Sequence, residues 1–339
     1  LHLLDARTGE VVRDIPVEKT VLSLTYSNDG RKLFISDYDK VSLYDLGYRK
    51  LIHSWQKPNL RTEHFVTLLN HPTRDALLGV TDKGNLVEFD PGQLDLAPVV
   101  RPILGVDSAN SARAAGANLL IAGNLGAYLV NTDGQVLKTY GHHLTSTTDA
   151  LALDNVVLTS GWDSQVLVWD KTSTEKLATL LSLDQGENWL FISSDFHFDG
   201  TEEAQTLIEW RWNGELYELA RFFERFYQPG LLARTLKQTE EAAATPRPTL
   251  GDQPPVVKLA KPKRLPDGRY EIAVEAEGGL PEGADVRLYH NGHRVAGSPP
   301  YIIKPVPGEN RLRASAYNSD QTVEGEPDRL IFEDQAERS

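Results

Sequence analysis

The first half of the chain alternates apolar strands with polar turns at a steady pace. Val21–Tyr26 reads as a strand, Asn28-Asp29-Gly30 as a turn, Lys32–Ser36 as the return, and Val41–Tyr44 as a third strand. Leu51–Trp55 supplies a fourth. The same order recurs with turns at His71-Pro72 and Asp82-Lys83-Gly84, then Ala117-Asn118 and Gly123–Gly126, then Asp154-Asn155 and Asp163-Ser164. Five apolar strands end in Asp or Asn: Leu4-Asp5, Tyr44-Asp45, Phe89-Asp90, Val130-Asn131 and Trp169-Asp170. Their intervals are 45−5=40, 90−45=45, 131−90=41 and 170−131=39.

Four strands per unit at roughly 40 to 45 residues is the period of propeller blades. The strand Gln165–Trp169 is apolar at nearly every position, which predicts burial of both faces between neighbouring blades. Residues 1 to 4 read as the end of a third strand. The expectation is that missing blades are supplied by upstream sequence or by another chain.

The pattern changes at Trp189–Leu236. Ile208, Trp210 and Trp212 alternate along a strand, Asn213-Gly214 suits a tight hairpin, and Leu216 and Tyr217 fall on the return. Leu219, Phe222, Phe223 and Phe226 then lie at helical spacing on one predicted apolar face. Pro229-Gly230 breaks that helix, and Leu231–Leu236 resumes a second. So many rings predict an interior junction capping the sheets before it, with Trp189, Trp210, Trp212, Phe222, Phe223 and Phe226 as its core. Thr245–Pro255 is a Pro-rich linker. Alternation returns at Tyr270, Ile272, Val274 and Ala276, at Val286 and Leu288, and at Leu312, Ala314 and Ala316, predicting a small Ig-like β-sandwich. The expected domains are blades over 1–183, the strand-hairpin and helix junction over 184–244, the linker over 245–255 and the sandwich over 256–335, an all-β chain.

Composition narrows the chemistry. Across 339 residues there is no Cys and no Met, which removes disulfides, thiolate metal sites and a cysteine nucleophile. The net charge of −13 argues against a nucleic-acid backbone as partner. Lys258–Arg264 is too short a basic run to overturn that and reads as a solvated strand edge. No apolar run is long enough to span a bilayer, so no membrane partner is expected. His290 and His293 flank a turn without an evident third metal ligand. Asp195, Asp199, Glu202 and Glu203 are acidic but lack the spacing of a helix-flanked calcium loop. Neither a nucleophile elbow nor a phosphate loop occurs. No metal, cofactor or catalytic residue is assigned, and no enzyme is expected within this chain. The expected location is the cytoplasm.

Two resemblances add to this. The fourth unit carries Gly141-His142, Ser160-Gly161, Asp163 and Trp169-Asp170 and resembles a WD repeat. The resemblance covers Leu1–Leu183 and implies a WD-repeat β-propeller in which His142, Ser160, Asp163 and Trp169 form a buried hydrogen-bond chain pinning the blade. The other units lack the full set: Tyr44 and Phe89 replace the Trp, and the third ends in Asn131. Further on, WLFISSDFHFDG followed by EWRWNGELYELARFFERFYQPGLLA is similar to the segment after the propeller in bacterial WD-repeat proteins carrying a caspase-like (metacaspase-type) peptidase domain. Phe198-Asp199-Gly200 and Phe222–Leu232 carry that match, while Asp195-Phe196 departs from the usual Asp-Gly turn. It implies a non-catalytic regulatory or scaffold region docking a protein partner, with the peptidase domain outside this chain. Two alternatives stand beside it: a secreted or periplasmic carbohydrate-binding propeller, and a propeller enzyme with its site in the central channel.

Overall fold

A computed structural model describes residues 1–56, 63–106, 108–141, 143–212, 214–237, 251–276, 279–280 and 284–334. The chain divides into two compact units, one holding Leu1–Ser182 and the described residues 235–237, the other Leu183–Arg234 and the described residues from 251 onward.

The first unit opens with a strand pair, β1 (His2–Leu4) and β2 (Val11–Asp14). Four antiparallel meanders follow. The first is β3 (Ser23–Tyr26), β4 (Lys32–Ser36), β5 (Lys40–Asp45) and β6 (Lys50–Gln56). The second is β7 (Phe65–Asn70), β8 (Leu77–Thr81), β9 (Asn85–Phe89) and β10 (Val99–Pro102). The third is β11 (Ser111–Ala115), β12 (Asn118–Gly123), β13 (Gly126–Val130) and β14 (Val136–Tyr140). The fourth is β15 (Thr147–Ala152), β16 (Val156–Gly161), β17 (Gln165–Asp170) and β18 (Lys176–Leu183).

The recurring Asp or Asn has one physical role. Its side-chain oxygen accepts from main-chain N–H groups two or three residues on, closing the turn between third and fourth strands. Asp5 accepts from Arg7 and Thr8, Asp45 from Tyr48, Asp90 from Gly92, Asn131 from Asp133 and Asp170 from Thr172, all at 2.8–3.1 Å. By this criterion β1 and β2 stand as the third and fourth strands of a blade do.

Each sheet packs face to face on the next. Phe34, Val41, Leu43 and Trp55 meet Phe65, Leu77, Val87 and Phe89 between the first and second. Leu78, Val80 and Leu86 meet Leu119, Ile121 and Val130 between the second and third. Leu120, Ala122 and Tyr140 meet Val157, Leu167 and Trp169 between the third and fourth. With both faces covered, the middle strands lose polar alternation: every residue of β8 is buried. First strands lie beside first strands, and side chains stitch them. Ser23 Oγ accepts from Leu68 N–H at 2.8 Å and Thr67 Oγ1 from Ala112 N–H at 3.1 Å, and Ser111 Oγ donates to Asp149 at 2.7 Å.

The second unit begins with β19 (Asn188–Ser193) paired to β20 (Phe198–Gly200), then helix α1 (Glu202–Leu207) and the hairpin β21 (Glu209–Trp212) with β22 (Glu215–Glu218). Asn213 lies outside the described residues, and Gly214 takes φ +90°. A 3₁₀ turn over Leu219–Phe222 runs into α2 (Phe223–Phe226), and α3 (Leu231–Lys237) follows. Most of the expected linker, 245–250, lies outside the described residues, as does 335–339. The remaining strands are β23 (Val257–Leu259), β24 (Lys263–Arg264), β25 (Tyr270–Ile272), β26 (Val274–Ala276), β27 (Val286–His290), β28 (His293–Arg294), β29 (Tyr301–Ile303), β30 (Gly308–Ala316) and β31 (Asp328–Asp334). They form sheets β23–β26, β24–β25–β29 and β28–β27–β30–β31 around one core of Val257, Ile272, Leu288, Tyr301, Leu312 and Ala314.

Candidate functional site

A buried polar constellation of the first unit lies in the fourth sheet. Trp169 Nε1–H donates to Thr159 Oγ1 at 2.9 Å. Thr159 Oγ1 lies 3.0 Å from His143 Nε2, and His143 Nδ1 lies 2.9 Å from Asp163 Oδ1. Indole is a donor only, so Thr159 Oγ1 accepts from it; the Asp163 carboxylate only accepts and so draws the neutral ring's proton to Nδ1, which leaves Nε2 to accept from the Thr159 hydroxyl. Nδ1–H then donates to Asp163, which also accepts from the N–H groups of Leu144 and Gln165. Burial works to raise the Asp163 pKa, but His143 and these two N–H groups outweigh it and hold the carboxyl below its ordinary range.

This chain corrects the sequence reading at one residue. Ser160 is not in it; its Oγ lies 2.8 Å from Thr148 Oγ1. Val157 is the cross-strand partner of Trp169, so Thr159, two residues on, shares its face, whereas Ser160 points the other way. His142 lies outside the described residues, and the histidine in the chain is His143. Gly141 is needed for packing: a Cβ there would lie 2.4 Å from the Trp169 ring.

The first strands gather a second polar group. Asp149 accepts from Ser111 Oγ and from Arg113 Nε at 3.1 Å. Burial opposes ionisation, but Arg113, Ser111 and the Ala150 N–H prevail and lower its pKa. A carboxylate stabilised in its charged form is the opposite of a general base tuned toward neutrality.

In the junction, Trp210 is the hub. Its ring centroid lies 4.9 Å from Phe222, 5.5 Å from Phe226, 5.8 Å from Phe196 and 6.1 Å from Phe198. Trp212 reaches this cluster through Tyr217, at 5.6 Å. Trp189 is half-buried, and among the described residues no ring contact joins it to the others. Phe223 is a correction. The 3₁₀ turn rotates the faces expected of one continuous helix, leaving Phe223 46% exposed and stacked on Tyr227 at 4.4 Å, while Phe222 is fully buried.

The same segment is tied to the strands that follow it. Arg221 Nε donates to Glu324 O at 2.7 Å, and Glu324 N–H donates back to Arg221 O. Arg287 is buried over the Tyr317 ring at 4.0 Å, bonded to Asp285 and to Glu224 of α2. Burial, aided by Glu324 and Glu224, pushes the Tyr317 hydroxyl well up.

The remaining candidates are absorbed locally. Asp195 bonds Ser193 and His197, and Asp199 accepts from Gly230 N–H at 2.8 Å, fixing the turn before α3. Glu202 and Glu203 sit in the first turn of α1. His290 Nε2 lies 2.8 Å from the buried Asn310, and His293 is exposed. Lys258 and Lys263 face Asp328 and Glu271 at 3.9 and 3.6 Å. Among the described residues no three His, Asp or Glu side chains gather as a metal site would require.

What the sequence reading passed over is one end of the third and fourth sheets. Leu104, Leu125, Leu144 and Trp162 lie in the connections there and are 79%, 65%, 87% and 77% exposed. The signal was present: large apolar residues inside turns, where polar ones are the rule.

No known protein family matches the chain, and no curated protein does. Among solved structures, the chain is similar to the computationally designed Ika4 protein at 13% identity, over 47% of this chain and 98% of that one, with a TM-score of 0.39. The β-propeller domain of Cps50 (Swd1) from Myceliophteria thermophila aligns at 14% identity over 64% and 77%, TM-score 0.45. A chain of the mitotic checkpoint complex aligns at 16% over 59% and 68%, TM-score 0.43. The chain is an all-β protein whose first unit stacks four-stranded antiparallel meanders face to face, as the blades of a β-propeller do, with the Trp169–Thr159–His143–Asp163 chain inside the fourth.

Proposed function

We propose that this chain is a non-catalytic protein-interaction region, in which the blades present loops to a protein partner. The observation that carries the reading is a division of labour among side chains. The clustered ionisable groups Asp163, Asp149, Asp195 and Arg287 are each engaged in holding strands or turns together. The largest uncovered side chains at the loop end, Leu125, Leu144 and Trp162, are apolar instead, among uncharged polar neighbours such as Asn124, Thr145 and Ser164. A surface of this kind fits recognition better than proton transfer.

The finer part of the proposal is that the region regulates a bacterial caspase-like peptidase in the cytoplasm. Its support is the order Phe198-Asp199-Gly200, then Phe222–Leu232, and the way that segment docks on the strands after it, which fits an Ig-like spacer following a propeller. Cross-linking of the full-length protein in its native cells tests both parts. Partner peptides linked to the blade loops are expected, and links confined to the chain itself would overturn the docking role. A parent protein without a His–Cys peptidase domain would remove the finer part. The carbohydrate reading keeps one observation, the exposed Trp162 ring; a glycan array on the full chain decides it.

A further inference from the structure

The end of the third and fourth sheets where Trp162 sits is built from four connections, and they are interlocked. Asn124 N–H donates to Ser108 Oγ at 3.2 Å, and Ser146 Oγ donates to Asn124 Oδ1 at 2.7 Å. Asn110 Nδ2 donates to Ser146 Oγ at 2.9 Å and to Thr147 O at 2.7 Å. Trp162 N–H donates to Ser146 O at 3.2 Å, and Leu144 N–H to Asp163 Oδ2 at 2.9 Å. The close approach needs glycine: a Cβ on Gly161 would lie 2.5 Å from His143 Nδ1, and one on Gly126 would lie 2.3 Å from Gly141 O. These loops are therefore a fixed platform rather than independent flaps.

That platform holds Leu125, Leu144 and Trp162 out to solvent, with Leu104 in the adjoining loop. One exposed leucine means nothing, because much of any protein surface is apolar. Three large apolar side chains on loops that bond to one another form a patch. Trp is also the residue most often found as an anchor at the centre of an interface. The turns at the opposite end of the same two sheets differ. They carry Asp133, Asp154, Lys171 and Glu175, and Leu153, at 37%, is the one large exposed hydrophobic among their described residues.

Charge says what would cover the patch. Among the described residues of the platform loops, the one carboxylate is Asp163, whose side chain is 6% exposed and already engaged. Leu125, Leu144 and Trp162 themselves bring no charge to the contact, while the chain as a whole carries −13. A second copy would bring another −13 and be repelled at long range; a segment with basic flanks would be drawn in.

We propose that Leu125, Leu144 and Trp162 are the docking site for a partner-protein segment presenting two or three uncharged apolar side chains flanked by Lys or Arg. This rests on the reading of the blades as an interaction platform and adds where they bind and what they accept.

The test uses the full chain and a displayed library of nine-residue peptides. Enrichment of sequences with an apolar centre and basic flanks is expected. The best synthetic peptide should bind at least tenfold more weakly to Trp162→Ala and to Leu144→Asp, and equally to Leu153→Asp. All three positions are exposed, so unchanged thermal melting separates lost binding from lost folding. The proposal is overturned if no peptide is enriched, if enriched peptides bind Trp162→Ala and wild type alike, or if the patch instead serves a second copy or phosphatidylcholine vesicles. The first of those is read by sedimentation equilibrium, the second by co-flotation. A peptide unaffected by these variants but lost in Tyr48→Ala would overturn this site while leaving the platform reading in place. A full-length protein with no cross-linked partner would sink that reading itself.

Discussion

Replacing Thr159 by Val removes one oxygen and keeps the shape, so it isolates the hydrogen-bond chain of the fourth sheet. Thr159 is 1% exposed, Trp169 6% and His143 4%. Its Oγ1 is the hydrogen-bond partner of both Trp169 Nε1–H and His143 Nε2. After substitution two buried polar groups lose that partner. Leaving one such group unsatisfied costs about 1–3 kcal/mol, so two cost roughly 2–6 kcal/mol. Thr159→Ser keeps both bonds and gives up one methyl, about 1 kcal/mol. Ser160→Ala, on the opposite face and bonded to Thr148, costs no more than about 1 kcal/mol. Urea titration of the full chain measures these losses, with hydrogen exchange of peptides from β15–β17 assigning the transition to the first unit. The expected order is Thr159→Val far below Thr159→Ser and Ser160→Ala. If Ser160→Ala cost more than Thr159→Val, or if Val at 159 fell within about 0.5 kcal/mol of wild type, the chain would not run through Thr159 and the pinning argument would fail.

Phe222→Ala should destabilise the second unit by about 3–5 kcal/mol, because a fully buried ring leaves a cavity, whereas Phe223→Ala should cost no more than about 1 kcal/mol. Equal losses in thermal or urea melts would show that the 3₁₀ turn does not separate the two faces. Acid should weaken the first unit through Asp163. Its folded pKa lies below its ordinary 3.8, so its contribution is complete above that value and is lost as pH falls through the lower folded value. Asp149 has the same sign, so the measured quantity is the difference between wild type and Asp163→Asn. The variant should lose less stability than wild type on going below pH 4 (an approximate onset set by ordinary carboxyl values). Parallel pH curves would refute the assignment.

Periodicity exposed the blades because one chemical device repeats: an acceptor side chain closing each turn between third and fourth strands. Asp5, Asp45, Asp90, Asn131 and Asp170 mark those turns in the sequence and bond in the same way in the structure. The pinning chain was legible only to within one residue. A motif match aligns types, and Ser160 and Thr159 are both hydroxyl residues. Strand parity selects Thr159 once the register is fixed, and that register, Val157 opposite Trp169, is set by the paired strands and not by residue type. Phe223 failed for a different reason. Spacings of three, four and seven describe an α-helix, and a 3₁₀ turn of the same residues advances by a different angle; nothing local at Leu219–Phe222 announces the tighter winding.

The docking patch was the least legible element, and the reason is topological. Leu125, Leu144 and Trp162 are separated by 19 and 18 residues (144−125 and 162−144) and belong to three connections of two sheets. No pairwise spacing rule for helix or strand relates them. The meander, which returns alternate turns to one end of each sheet, makes them neighbours, and the Asn110–Ser146–Asn124 bonds, with Trp162 N–H on Ser146 O and Leu144 N–H on Asp163, fix them there. Burial can be read along a strand because alternation reports it. Exposure that matters for binding is a property of which turns share an end. For a blade that follows from parity: turns before the first strand and between the second and third share one end, and the other two share the opposite end. Apolar residues in the former set and charged ones in the latter, as in the third and fourth sheets here, are the pattern to seek in a chain read without its structure.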